Sequence, residues 1–249
     1  MKKLILAFLV MIAPSVAFAA GGNVHLDEAN IDVSNKESLQ RGAKAFVTYC
    51  LSCHGASYMR YSRLGQDADI SDEQLLENII FTRDKKGEQN KVGALMEVAM
   101  TDDYAKAAFG SKVPDLSVIA RSRGADWLYT YLRTFYVDPT RPMGVNNTTF
   151  KNVGMPNVLW QLQGTQQAVY GEVHKENGSV EEAVVGVELV EEGTMTPAEY
   201  DLFVTDLVNY LVYMGEPIQE TRKTMGIYVV LFLFLLFIFA YFLKKEYRK

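Results

Sequence analysis

Cysteine and histidine are scarce in this chain of 249 residues, with two of the former and three of the latter. That scarcity excludes several chemistries. Structural zinc wants four Cys or His ligands, and no second C-x-x-C and no H-x-x-x-H accompanies Cys50 and Cys53. A disulfide between those two cysteines would close a loop too short to stabilise much. A thioredoxin-like redox pair follows a strand in an alternating strand and helix pattern, and that alternation is missing. Positive charge is also in deficit, 25 Lys and Arg against 30 Asp and Glu, which excludes a nucleic-acid binder. Internal repeats and low-complexity tracts are absent, so the chain reads as one globular core with additions at its ends.

What remains is the pentapeptide Cys50-Leu51-Ser52-Cys53-His54, the C-x-x-C-H pattern of c-type haem attachment. On a helix, Cys50 and His54 lie one turn apart with Cys53 beside them, so two sulfurs and an imidazole face one planar ring. Two thioethers then tether the macrocycle's edge while the histidine reaches its iron from one face. A lone motif implies one covalently attached haem c, bound through Cys50 and Cys53 with His54 as metal ligand.

The two ends carry different signals. Residues 1–19 combine the basic start Met1-Lys2-Lys3, an apolar run and the small residues of Ala17-Phe18-Ala19, the pattern of a cleaved signal peptide. Residues 226–243 are uncharged and of membrane-spanning length, and Lys244, Lys245, Arg248 and Lys249 follow them. The positive-inside rule puts this basic tail in the cytoplasm of a bacterial inner membrane and the bulk of the chain outside. The expected organisation is a signal peptide at 1–19, a periplasmic haem domain at 20–222, one transmembrane helix at 223–243 and a cytoplasmic tail at 244–249. Setting aside the signal's two lysines and the tail's four basic and one acidic residue leaves 19 basic against 29 acidic residues, a net charge of −10. Such a surface suits a basic partner such as a small soluble cytochrome, or serves solubility alone.

Between the ends the pattern is helical. Ser34-Asn35-Lys36-Glu37 predicts a capping box with Ser34 at the N-cap. The helix it opens carries Leu39, Ala43, Phe46 and Val47 on its buried stripe. Gly42 within it gives up about 1 kcal/mol of helix propensity, which predicts close packing against another helix. Ser71-Asp72-Glu73-Gln74 opens a second boxed helix bearing Leu75, Leu76, Ile79 and Ile80. Short helices are expected over 94–100 and 103–109, the second ended by Gly110, and a longer one over 126–136. No strand alternation precedes Ala168. Residues 168–193 read as a small acidic β-hairpin or loop excursion with a turn signal at Glu176-Asn177-Gly178. Thr196-Pro197-Ala198-Glu199 then caps a last soluble helix, ended by Gly215 and Pro217, that packs on the helix containing Gly42. The polar stretch 21–33, with His25, is expected to lie extended on the surface.

An iron held by His54 on one face needs its other face accounted for. His25 and His174 both stand in polar, loop-like segments, and a methionine thioether suits an electron carrier because it raises the reduction potential. Outside the signal and the membrane boundary the candidates are Met59, Met96, Met100, Met143, Met155, Met195 and Met214. Met59 is too close to the attachment site to wrap around a ring. Met96 and Met100 have core spacing, while Met195 and Met214 flank a helix. Met155 stands in Asn152-Val153-Gly154-Met155-Pro156-Asn157, where Gly and Pro set an irregular loop able to hold a side chain over a haem face. Packing of Met155 into the core is the alternative.

Taken together, these residues resemble the cytochrome c1 family, the haem subunit of the bacterial cytochrome bc1 complex, from about Leu39 to the C-terminus. The resemblance rests on Arg41-Gly42-Ala43 leading into Tyr49-Cys50-Leu51-Ser52-Cys53-His54, and on Tyr58-Met59-Arg60-Tyr61 after it. Pro114-Asp115-Leu116-Ser117, Ala120-Arg121, Gly124-Ala125-Asp126-Trp127-Leu128-Tyr129, Val153-Gly154-Met155-Pro156 and the single C-terminal span complete it. It places the family's axial methionine on Met155. It also places the arginine that contacts a haem propionate on Arg121, with Arg123 as the alternative, and the carbonyl that accepts a hydrogen bond from His54 on Pro114.

The expected fold is an all-α c-type cytochrome domain with small β or loop insertions and one C-terminal transmembrane helix. The resemblance implies an electron carrier between the Rieske iron–sulfur protein and a soluble periplasmic c-type cytochrome. Its complex would contain cytochrome b, form a dimer and oxidise ubiquinol. No residue points to substrate chemistry of its own. A free-standing membrane-anchored cytochrome serving a terminal oxidase or reductase is the alternative. A haem peroxidase is disfavoured because it would want an open iron position and usually a second haem.

Overall fold

The computed structural model describes residues 25–98, 100–174 and 179–248; the signal segment, the turn at Glu176-Asn177-Gly178 and Lys249 lie outside them. In chain order the elements are α1 (Lys36–Tyr49), β1 (Ala56–Arg60), α2 (Tyr61–Asp67), α3 (Asp72–Asn78), β2 (Leu95–Met96), α4 (Asp102–Phe109), α5 (Ile119–Arg123), α6 (Ala125–Arg133), β3 (Phe135–Val137), β4 (Val145–Asn147), α7 (Trp160–Gln163), β5 (Gly164–His174), β6 (Val180–Glu192), α8 (Pro197–Gly215) and α9 (Gln219–Glu246). The strands form three separate antiparallel pairs, β1 with β2, β3 with β4 and β5 with β6. Helix makes up 46% of the described residues, so all-α describes the fold only roughly.

The core is organised on α1 and α8. Leu39, Ala43, Phe46 and Val47 of α1 are buried as their spacing predicts, against Val204, Leu207, Val208, Tyr210 and Leu211 of α8. Each large side chain there contributes about 2 kcal/mol by leaving water. Gly42 is the contact point: a Cβ at this position would lie 2.0 Å from the Asp206 carbonyl oxygen and 2.8 Å from Tyr210 Cβ. The Arg41 guanidinium donates to both Asp206 carboxylate oxygens at 2.6 and 3.0 Å beside it. Gly42→Ala should therefore destabilise the fold by about 2 kcal/mol, the clash outweighing the gained helix propensity. A urea midpoint equal to or above that of the parent would contradict this.

The caps are partly as expected. Ser71 with Gln74, and Thr196 with Glu199 behind Pro197, form reciprocal capping boxes. At α1 the cap moves by one residue: Asn35 accepts from the Ser38 N–H at 3.0 Å, while the Ser34 hydroxyl donates to Asp32 at 2.6 Å. Asn caps as well as Ser, and Asp32 takes the serine out of competition. Gly110, at φ 74°, closes α4 in the left-handed conformation that glycine tolerates.

Three expectations are corrected. Where a helix is expected over 94–100, residues 94–98 hold the short strand β2, and Met96 in it is fully buried with the Tyr210 hydroxyl donating to its sulfur at 3.2 Å. The helix expected over 126–136 stops at Arg133, where Phe135–Val137 turns into β3. Strands of two to five residues are too short to display the period-2 pattern that would have announced them. The excursion is a full β-ribbon beginning at Gly164, four residues earlier than read, with strands of 11 and 13 residues. At its base Gln166 donates from Nε2 to the carbonyls of Arg133 and Phe135 at 2.9 and 2.8 Å, which ties it to β3.

Residues 25–33 are extended, yet pinned. The Asp27 N–H reaches Thr130 Oγ1 at 2.8 Å, the Ala29 N–H reaches Asp126 Oδ1 at 2.9 Å, and Asn209 Nδ2 donates to the Asp32 carbonyl at 2.8 Å. Arg133 joins Asp27 and Asp201 in one ion-pair cluster behind the segment. At the other end α9 has 28 residues, none of them buried. At 1.5 Å per residue it is about 42 Å long, and an 18-residue stretch within it has a mean hydropathy of 2.7, so it is long and apolar enough to cross a membrane.

Candidate functional site

The Cys50-to-His54 motif lies in the turn that continues α1. Cys50 accepts at its carbonyl from the N–H groups of Cys53 at 3.0 Å and His54 at 2.8 Å. The i to i+4 bond is helical, so the expected stacking of Cys50 and His54 one turn apart is present. The two thiols are not bonded to each other. Burial pushes the Cys50 thiol up to about 12, with the neighbouring Cys53 adding to the shift, so it sits in the fold as a neutral thiol.

Both cysteines and His54 open into a cleft of about 310 Å³. Its walls come from four places in the chain. Val113, Pro114 and Leu116 follow α4; Arg123, Trp127, Leu128 and Tyr131 come from α5 and α6; Phe150, Val153, Met155 and Val158 follow β4; Leu207 and Leu211 come from α8. The lining is predominantly apolar, and the volume falls at the small end of cofactor sites.

His54 is fixed from behind. Its Nδ1 lies 2.7 Å from the Pro114 carbonyl oxygen. A carbonyl only accepts, so Nδ1 carries the proton and Nε2 keeps a free lone pair on the opposite edge of the ring. Burial lowers the imidazole pKa further than the Pro114 bond and the Asp115 charge raise it, leaving the ring neutral and able to ligate a metal.

The Pro114 carbonyl is itself aimed by its neighbours. The Leu116 N–H donates to the Gly55 carbonyl at 2.8 Å. Asp115 accepts from the Ser57 N–H and hydroxyl at 2.9 and 2.8 Å and from the Ser117 N–H at 2.8 Å. Burial raises the Asp115 carboxyl, but these bonds outweigh it and hold the group below its ordinary value of 3.8. A carboxyl lowered on folding stabilises the protein above its unfolded value and loses that contribution as pH falls through the folded one. Acid below pH 3.8 should therefore loosen this loop, and Asp115→Asn should remove that part of the acid sensitivity. Equal losses of urea stability with acid in the two proteins would contradict it.

Met155 stands opposite in sequence but in the same cleft. Its loop is held by two adjacent buried asparagines that the sequence reading missed. Asn146 Oδ1 accepts from the Asn152 N–H at 2.8 Å, where Asn152 takes φ 61°, and Asn147 Oδ1 accepts from the N–H groups of Thr149 and Phe150 at 2.9 and 3.0 Å. Asn147 Nδ2 donates to the Tyr131 carbonyl at 2.8 Å, and the Tyr131 hydroxyl donates to Met155 Sδ at 3.4 Å. Adjacent asparagines followed by threonines are a turn signal, but nothing local announces that both would be buried.

The structure thus brings Cys50, Cys53, His54, Pro114 and Met155 together and leaves Arg121 outside. Arg121 pairs with Glu216 at 3.2 Å and does not line the cleft. Arg123 lines it, with its guanidinium 4.9 Å from the Trp127 ring centroid and 5.8 Å from that of Phe150. Of the other methionines considered, Met59, Met96 and Met214 are in the core and Met195 packs against it. The donor set fits a c-type haem: two unbonded thiols, a neutral imidazole with a free lone pair, a thioether and apolar walls suited to a macrocycle.

Comparison with known proteins agrees. The model of the Cytochrome C1 family matches residues 28–249. A cytochrome c1 of Allochromatium vinosum is 51% identical over 249 residues, covering 100% of this chain and 99% of that protein. The ammonia monooxygenase gamma subunit of Nitrosomonas europaea is 49% identical over 246 residues, covering 99% and 96%. A cytochrome c1 of Rhodobacter capsulatus is 24% identical over 282 residues, covering 99% and 96%.

Proposed function

This chain belongs to the cytochrome c1 family, and from that premise we propose that it takes single electrons from the Rieske iron–sulfur protein and gives them to a soluble periplasmic c-type cytochrome. Proteins of this family bind haem c and are membrane-anchored electron-transfer subunits of the cytochrome bc1 complex, which implies cytochrome b and the Rieske protein as partners. One haem c, joined to Cys50 and Cys53 by thioether bonds, would supply a one-electron iron couple in the cleft.

The observation that carries this reading is the convergence of both thiols, His54 and Met155 on one apolar cleft. Nε2 of His54, kept in its tautomer by Pro114, and the thioether of Met155 would hold the iron. Arg123 is the better placed of the two arginines to pair with a propionate, since Arg121 already serves Glu216. With His54 and Met155 both available to hold the iron, no position would be left open for substrate chemistry, which supports a carrier over a peroxidase.

The remaining assignments follow from topology. A signal peptide cleaved after residue 19 and the basic tail at 244–249 put the domain in the periplasm and the C-terminus in the cytoplasm of the bacterial inner membrane. Anchoring by α9 keeps the cleft at high effective concentration near its donor. Family membership carries with it the expectation of a dimeric complex. Affinity purification of the tagged full chain from detergent-solubilised membranes should recover cytochrome b and the Rieske protein in equal amounts with it. Their absence would leave a free-standing cytochrome. Monooxygenase subunits in their place would carry a second reading, suggested by the name of the relative that is 49% identical.

A further inference from the structure

We propose that Tyr131 is a positioning residue that holds the Met155 thioether through its hydroxyl and thereby sets the reduction potential of the site. The inference rests on the reading of Met155 as an axial ligand. A methionine side chain is unbranched with three rotatable bonds, and its sulfur has two lone pairs. The Tyr131 hydroxyl, 3.4 Å from Sδ, engages one of them and leaves the other for a metal.

The tyrosine is fixed more firmly than the methionine it holds. Its ring stacks on Trp127 at 4.9 Å between centroids and 9° between planes, and meets the edge of Phe135 at 5.1 Å and 68°. Its carbonyl accepts from Asn147 Nδ2, and the same asparagine's Oδ1 holds the N–H groups of Thr149 and Phe150 at the start of the Met155 loop. Donor and acceptor are therefore tied through one buried side chain, so α6 and the loop keep their spacing. Packing alone would be met by phenylalanine; the hydroxyl in this apolar wall goes to sulfur, which makes the contact electronic as well as steric.

The sign of its effect follows from charge. An O–H donor draws electron density from sulfur and makes the thioether a weaker donor. Ferric iron loses more from that than ferrous iron does, so the hydrogen bond favours the reduced state and raises the potential.

The test is Tyr131→Phe in the haem-loaded full chain in membranes, read by redox titration and by absorption spectrum. The expected result is a low-spin c-type spectrum with the reduced-to-oxidised ratio at fixed ambient potential about threefold lower, which is about 28 mV at 59 mV per decade for one electron. Loss of the low-spin spectrum would also support the assignment, since the thioether would then have lost its place. An unchanged potential with an unchanged spectrum would overturn it. Met155→Leu, titrated in parallel, separates this failure from that of the ligand reading: if it too leaves potential and spectrum unchanged, Met155 is not a ligand and the role of Tyr131 falls with it.

Discussion

Met155→Leu is expected to lower the reduction potential on the order of 0.1 V or more, a sizeable part of the ~0.8 V over which axial ligands set haem potentials. Leucine nearly conserves volume and apolarity, so the packing cost stays below about 1.5 kcal/mol and the loss is one of ligation. The loop should survive, because what holds it is Asn146 and Asn147 rather than Met155 itself: their side-chain oxygens accept from Asn152, Thr149 and Phe150. Water or another weak ligand would then meet ferric iron, and the oxidised spectrum should acquire high-spin character. A titration of the variant that overlays the parent would remove Met155 from the site. The same change at Met96, already engaged by Tyr210 in the core, should cost stability and leave the potential in place.

Replacing Cys50 and Cys53 together by alanine should abolish covalent haem. After denaturing electrophoresis the parent should stain for haem at the position of the chain and the double variant should not, while either single variant keeps one thioether bond and a reduced signal. The effect on the fold should also be large. A cleft of about 310 Å³ with apolar walls has little reason to stay open to water. A group that binds only the folded state stabilises by roughly 4.1 kcal/mol when present at 1,000 times its dissociation constant. The double variant should therefore accumulate poorly even where haem is plentiful. Undiminished staining of its denatured band would show that attachment runs through other residues.

Much of this was legible locally. The spacing of Cys50, Cys53 and His54 announces two thiols and an imidazole within one helical turn, and all three line the cleft. Gly42 announced a helix crossing because a helix-breaking residue on a buried stripe needs a reason, and Asp206 supplies it. Ser71 and Thr196 announced helix starts because capping boxes are built from residues three apart. What escaped depends on distant partners. β1 and β2 pair across more than thirty residues with only two to five residues apiece. Asn146 and Asn147 look like turn residues until the loop they hold is folded over them. No local pattern announces that Arg121 pairs with Glu216, nearly a hundred positions away, while Arg123 lines the cleft. The ribbon of β5 and β6 was recognised in its middle and mistaken at its base, where Gln166 reaches into β3.

The most direct test of the whole account is single-turnover spectroscopy on membranes containing the full chain. Adding ubiquinol should reduce a c-type haem that disappears with Cys50→Ala/Cys53→Ala, and adding an oxidised soluble c-type cytochrome should reoxidise it within the same sample. A c-type signal that quinol leaves oxidised, or that the soluble cytochrome leaves reduced, would contradict the proposed place of this chain between its donor and its acceptor.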